Sequence, residues 1–193
     1  MKLGMRLSVR MPLALALFLS ACSWQAGPSL ENAPVLKGPD GREYRVLAKG
    51  AYKAFYGADG RVARLEHDSN GDGRGDQIAY YDGAASPRRL EVDEDFDGKG
   101  DRWEAYDAGG ALVSVGRSHH HGDKPDVWTY PGPDGRTRRV ELDTNGDGRV
   151  DRWQDWGAGR LASEDLDTDG DGKADRRIHY GAQGRISKLE TLR

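Results

Sequence analysis

Three observations predict an all-β fold of tandem antiparallel β-hairpins. The first is an acidic nine-residue run that recurs in step: DSNGDGRGD at 68–76, DEDFDGKGD at 93–101, DTNGDGRVD at 143–151 and DTDGDGKAD at 167–175. The starts lie 25, 50 and 24 residues apart, and SHHHGDKPD at 118–126 fills the gap in degenerate form, which makes five units with a period of 25. The second is the segment after each run: QIAYY, RWEAY, VWTYP, RWQDW or RRIHY, then a Gly-bearing turn such as Asp107-Ala108-Gly109-Gly110, then a second short segment such as Arg139-Val140-Glu141-Leu142. Aromatic and β-branched residues flanking a Gly/Asp turn signal a hairpin. The third is the lack of any sustained 3.6-residue apolar period in the repeats, so no helices are expected there.

The array is expected over residues 41–193 as an elongated sheet or solenoid, with the acidic loops between hairpins along one edge. A closed barrel or propeller-like arrangement is the alternative, because two units supply the four strands of a blade. Phe55 and Tyr56, 25 residues before Tyr80 and Tyr81, mark a partial unit ahead of the five. Alternation along the outgoing strands places Ile78, Trp103, Trp128, Trp153 and Arg177 in one column. The returning strands carry Leu65, Leu90, Val115, Val140 and Leu189, with Glu164 as the exception. Stacked hairpins are expected to bring these columns into register, because one hairpin alone is too small to be stable.

Composition explains why the repeats need help. From Cys22 onward the chain holds 11 Leu, 9 Val, 3 Ile and 2 Phe in 172 residues, which excludes a large aliphatic core and a buried parallel sheet. All 5 Trp and 8 Tyr fall in the same stretch, so Trp103, Trp128, Trp153 and Trp156 are expected to replace the scarce aliphatics as core. No apolar run reaches the roughly 18 residues of a membrane-spanning helix.

Residues 1–21 read as a signal peptide: Lys2, Arg6 and Arg10 form a basic start and Pro12 to Leu19 a short apolar stretch. Leu19-Ser20-Ala21-Cys22 then contains the only Cys, so no intrachain disulfide can form. This run resembles the lipobox of bacterial lipoproteins, which implies that Cys22 is lipidated and becomes the first mature residue. Ser23 after the Cys implies, by the same resemblance, an outer-membrane lipoprotein of the cell envelope, on its periplasmic or surface face. Residues 22–40, the lipidated Cys and the Gly, Pro, Asn and Ser beyond it, read as a flexible tether.

The acidic run has the chemistry of a hard-cation loop. Oxygen-bearing side chains stand at positions 1, 3, 5 and 9 and a glycine stands at 6 for the turn. The candidate ligands are Asp68, Asn70, Asp72, the Arg74 carbonyl and Asp76 in the first loop, and Asp93, Asp95, Asp97, the Lys99 carbonyl and Asp101 in the second. In the others they are Asp143, Asn145, Asp147, the Arg149 carbonyl and Asp151, then Asp167, Asp169, Asp171, the Lys173 carbonyl and Asp175. Calcium takes six to eight oxygens, and carboxylates this close repel one another without a cation, so up to four Ca²⁺ are expected. Mg²⁺ fits less well, because it resists dehydration. Asp/Asn/Gly turns without any ion are the bland alternative.

The nine positions resemble the start of the EF-hand loop, but position 12 is Ala79, Glu104, Gln154 or Ile178, so its bidentate Glu is missing from three of the four, and flanking helices are absent. The pattern resembles thrombospondin type 3 calcium loops more closely. The chain over 50–193 resembles bacterial lipoproteins built of such loops alternating with W-x-x-Y hairpins. Glu66, Glu91, Glu141 and Asp165, two residues before each loop, are either outer ligands or solvated strand-end charges. In the degenerate loop, Ser118, His120 and Gly122 replace the first ligands; His119 to His121 with Asp123 either hold a transition metal or mark a decayed loop.

No nucleophile elbow, zinc-protease motif or phosphate loop is present, so no enzyme is expected. From Cys22 onward 26 basic residues face 32 acidic ones, which argues against nucleic acid. The expectation is a calcium-binding, lipid-anchored scaffold with a protein partner. The alternative is a glycan-binding module, since DRWEAYDAGGAL (101–112) is similar to the aromatic hairpins of choline-binding modules.

Overall fold

A computed structural model describes residues 29–119 and 122–192. It contains fourteen strands: β1 (Val35–Lys37), β2 (Glu43–Lys49), β3 (Tyr52–Tyr56), β4 (Val62–His67), β5 (Gln77–Tyr80), β6 (Arg89–Val92), β7 (Arg102–Tyr106), β8 (Leu112–Arg117), β9 (Val127–Pro131), β10 (Thr137–Leu142), β11 (Arg152–Gly157), β12 (Arg160–Leu166), β13 (Arg176–Tyr180) and β14 (Ile186–Thr191). All pair antiparallel with their sequence neighbours in one sheet, in the order β1 to β14. The sheet is open, with β1 and β14 as its edges, so the closed alternative is excluded. Among the described residues each strand touches only its sequence neighbours, so no second layer covers either face. The ordered array starts at Val35 rather than at residue 41: β1 pairs with β2, with Leu36 opposite Tyr44, inside the span expected to be tether.

A meander sends alternate connections to opposite edges. The five nine-residue loops join β4–β5, β6–β7, β8–β9, β10–β11 and β12–β13 and therefore share one edge. The Gly50–Ala51 turn between β2 and β3 also lies on this edge, and the Gly turns that follow the odd-numbered strands take the other. In five of those hairpins the returning strand carries one extra residue: Ala63, Val113, Arg138, Ala162 or Ser187. A bulge bends its strand and increases the local twist.

The register corrects the expected core. Leu90 pairs with Ala79 on one side and Glu104 on the other, whereas Trp103 pairs with Glu91 and Gly116. Neighbouring residues of a strand point to opposite faces, so the aliphatic and Trp columns run in register but on opposite sides of the sheet. The core cluster lies on the Leu90 face: Ala79, Tyr81, Leu90, Val92 and Tyr106, with Val62, Leu65 and Leu112 against it. Trp103, Trp128, Trp153 and Trp156 are all half-buried and none belongs to this cluster. The burial is lateral, with large side chains of adjacent strands leaning over small ones, and Ala79 is completely covered. Glu104 and Glu164 are also buried on this face; Gln154 and the Tyr180 hydroxyl donate to Glu164 at 2.8 and 3.1 Å.

The Trp103 face is a polar ladder. The Tyr80 hydroxyl donates to Glu91 at 2.9 Å and that of Tyr130 to Glu141 at 3.0 Å. Arg64 lies 3.0 Å from Glu66, and Arg177 donates twice to Asp165, at 2.5 and 2.6 Å. Glu66, Glu91, Glu141 and Asp165 are thus neither outer ligands nor free strand-end charges. They are cross-strand and same-strand acceptors, because their parity points them onto this face.

Candidate functional site

The four intact loops share one hydrogen-bond frame. Both oxygens of the position-1 aspartate accept backbone N–H groups from positions 4 and 6. For Asp68 these come from Gly71 at 2.6 Å and Gly73 at 2.8 Å; Asp93, Asp143 and Asp167 repeat the pattern. Asn70, Asp95, Asn145 and Asp169 at position 3 each accept the N–H of position 5. Asp72, Asp97, Asp147 and Asp171 each accept the N–H of position 7 at 2.8 Å, from Arg74, Lys99, Arg149 and Lys173. The last aspartate, Asp76, Asp101, Asp151 or Asp175, closes the loop by accepting the N–H of position 2.

Positions 4 and 6 both have φ between 65° and 92° in every intact loop. Glycine adopts that region freely. Seven of the eight positions are glycine, and the exception is Phe96, with φ 65°.

This frame leaves carboxylate oxygens gathered at the loop centres. Asp68, Asp72 and Asp76 each offer one oxygen within 4.8 Å of the others, as do Asp93, Asp95 and Asp101, and Asp167, Asp169 and Asp175. Asp97 and Asp171 lie outside these clusters, and the 143–151 loop, with the same frame, does not gather three carboxylates to that distance. A carboxylate oxygen that accepts one N–H retains a lone pair for a cation, so the frame and a bound ion are compatible. Arg74, Lys99, Arg149 and Lys173 have exposed side chains, as expected if only their backbone serves.

Electrostatics follow the frame. The Arg74 N–H holds the Asp72 carboxyl below the usual carboxylate range, and the Thr168 hydroxyl does the same for Asp175. For Asp167, burial pushes upward, but the N–H groups of Gly172 and Gly170 prevail and its pKa is lowered. These groups are ionised at neutral pH and ready for a divalent cation.

Sequence reasoning missed the position-2 side chains. The hydroxyls of Ser69, Thr144 and Thr168 donate to the closing aspartates at 2.6 to 2.9 Å. The recurrence of Ser/Thr at this position was the available signal. The degenerate loop explains the role of the ninth residue. There His119 donates its N–H to Asp126 and its Nδ1 lies 3.1 Å from the same carboxylate, while Ser118 Oγ accepts from Gly122. The closing bond from position 2 to position 9 is therefore kept where the acids at positions 1, 3 and 5 are gone, while Ser118 accepts from position 5 in place of positions 4 and 6. His120 and His121 lie outside the described residues, as do the signal peptide and Cys22.

No known protein family and no curated protein matches this sequence. Among solved structures, the chain is similar at a TM-score of 0.43 and 9% identity to the S. aureus TarM G117R mutant in complex with fondaparinux, alpha-GlcNAc-glycerol and UDP, covering 69% of this chain and 23% of that one. The GtfA/B complex bound to UDP and GlcNAc gives 0.33 and 15%, covering 86% and 26%. Accessory secretory protein 1,2 and 3 in Streptococcus pneumoniae gives 0.30 and 16%, covering 61% and 19%. This chain spans about a quarter or less of their length, and likeness at this level carries no argument about function.

Proposed function

We propose that this protein is a calcium-stabilised, lipid-anchored scaffold of the bacterial cell envelope. Cys22 carries the lipid, which holds the protein at the outer membrane, and the sheet presents two broad faces to a protein partner. The reading has no catalytic role. The observation that carries it is the acidic loop itself: one frame, repeated along one edge, with three carboxylates gathered within 4.8 Å in three copies. A hard cation relieves that repulsion, and calcium tolerates the irregular, partly hydrated site that nine residues provide.

Calorimetric titration of the chain from residue 23 onward with Ca²⁺ tests this reading. The expected stoichiometry is three to four ions per chain, from the four intact loops. Asp68→Ala should remove one. No heat of binding, with or without competing Mg²⁺, overturns the reading.

A second reading, binding of an envelope glycan, is favoured by one observation: Trp103, Trp128 and Trp153 stand half-buried on the face away from the core cluster. Tryptophan emission that responds to added sugar at saturating calcium supports it; emission that responds only to calcium removal supports the scaffold.

A further inference from the structure

The hairpin β9–β10 departs from the repeat at three positions beside one cleft. On the Leu90 face the outgoing strands of the other hairpins carry an aromatic residue at or beside their ends: Tyr56, Tyr81, Tyr106, Trp156 and Tyr180. Tyr56, Tyr81 and Tyr106 are each 8% exposed. At this place β9 has Pro131. The residue opposite is Val62, Leu112, Leu161 or Ile186 in the other bulged hairpins and Thr137 here. The extra residue of the returning strand is Ala63, Val113, Ala162 or Ser187 elsewhere and Arg138 here. A bulge re-aims the side chain it carries.

Where its neighbours place a ring against an aliphatic chain, this hairpin leaves open a cleft of about 360 Å³. That is the size of a small-ligand site. Asp134, Arg136, Thr137 and Arg138 line one side, and Trp156 lines the other, with Ala158 and Gly159 beside it. The Trp156 Nε1–H is buried and has no acceptor among the described residues, so the indole offers the cleft its ring rather than its donor. Asp134 and Arg136 answer each other: the Arg136 N–H donates to Asp134 at 3.1 Å and its Nε lies 3.8 Å from the same carboxylate. Arg138 and the Thr137 hydroxyl have no such partner among the described residues. The cleft therefore combines an apolar ring, a hydroxyl and one uncompensated cation.

A sugar acid matches each of these. One face of a pyranose is flat and lined by C–H groups, which suits an indole; its rim carries hydroxyls, and a carboxylate pairs with a guanidinium through charge-assisted hydrogen bonds. We propose that this cleft binds a pyranose bearing a carboxylate, with its ring on Trp156 and its acid on Arg138. The site is separate from the acidic loops, and Trp156 lies on the opposite face from Trp103, Trp128 and Trp153. Its failure would leave both functional readings standing, and theirs would leave it standing.

NMR of the ¹⁵N-labelled full chain in detergent tests it, with the Trp156 indole signal identified by its loss in Trp156→Phe. Added glucuronate should shift that signal saturably. Glucose, which lacks the charge, and acetate, which lacks the ring, should each bind more weakly by about tenfold or more, the value of one hydrogen bond to a charged group. Arg138→Ala should weaken glucuronate by about the same factor; Arg138 is exposed, so its truncation spares the fold. Pro131→Tyr, which gives this hairpin the ring of its neighbours, should abolish the shift. The absence of a saturable shift with glucuronate overturns the proposal. So does glucose or acetate binding as tightly as glucuronate, or an Arg138→Ala or Pro131→Tyr protein that binds glucuronate as before.

Discussion

Phe96 is the residue at which the repeat departs from its own backbone. Its φ of 65° is one that Gly71, Gly146 and Gly170 occupy at the same loop position. A side chain in that region costs roughly 1–2 kcal/mol, and glycine loosens the unfolded chain by about 0.4–1 kcal/mol in opposition. Phe96 is 47% exposed, so little burial is at stake. Phe96→Gly should therefore stabilise the protein by about 0.5 kcal/mol, read from urea denaturation; a loss of stability means that the ring packs against something that holds the loop. The glycine at position 6 was legible from the turn it allows. The second positive φ at position 4 was not, because Phe96 masks the pattern and the demand comes from the Asp93 carboxylate drawing in two N–H groups at once.

The hairpin is the unit in which polar and apolar columns are sorted. In β5–β6, Tyr80 is half-buried, its hydroxyl bonds Glu91, and the Arg89 guanidinium sits 4.1 Å from its ring centroid. Burial first, and then the Glu91 carboxylate, push the Tyr80 hydroxyl from 10 up to about 12. Above pH 10 the unfolded chain gives up this proton while the folded one keeps it, so the contribution is complete below pH 10 and is lost as pH rises through about 12. Stability measured by urea midpoint should fall across that interval, and Tyr80→Phe should flatten the fall. Tyr106, Tyr130 and Tyr180 are also raised, so the fall should diminish rather than vanish; an unaltered slope in Tyr80→Phe counts against this hairpin contact. The strands, their turns and the 25-residue step were readable from the sequence. Which column faced which side was not, because that is decided by pairing register between strands, and the bulges at Val113, Arg138 and Ala162 shift that register without a composition signal.

At the scale of the whole molecule, the strands of the single open sheet contact, among the described residues, only their sequence neighbours. Its stability is then a sum of hairpin and interface contributions, with each loop joining two adjacent hairpins. A cation bound at 100 times its dissociation constant adds about 2.7 kcal/mol per site. For a domain of this size, removing even one such ion should lower Tm by roughly 5–10 °C. Thermal melts with excess calcium and with chelator measure this directly, and an unchanged Tm overturns the coupling of folding to the ion. On the proposed reading, calcium in the loops would also change the charge balance, since 14 of the 32 acidic residues are loop aspartates.

The sequence by itself determined the all-β class, the period, the shared edge of the loops and the acidic positions within them. These are local properties: turn chemistry, strand alternation and oxygen spacing act within a few residues, and repetition amplifies them. Tertiary structure decided that the sheet is open, that the Trp and aliphatic columns face opposite ways, and that β1 belongs to the array. It also decided that Glu66, Glu91, Glu141 and Asp165 serve the ladder rather than the loops. Each of these depends on which residue of one strand stands opposite which residue of the next, and a one-residue slip in that register would exchange the two faces while leaving every local pattern intact.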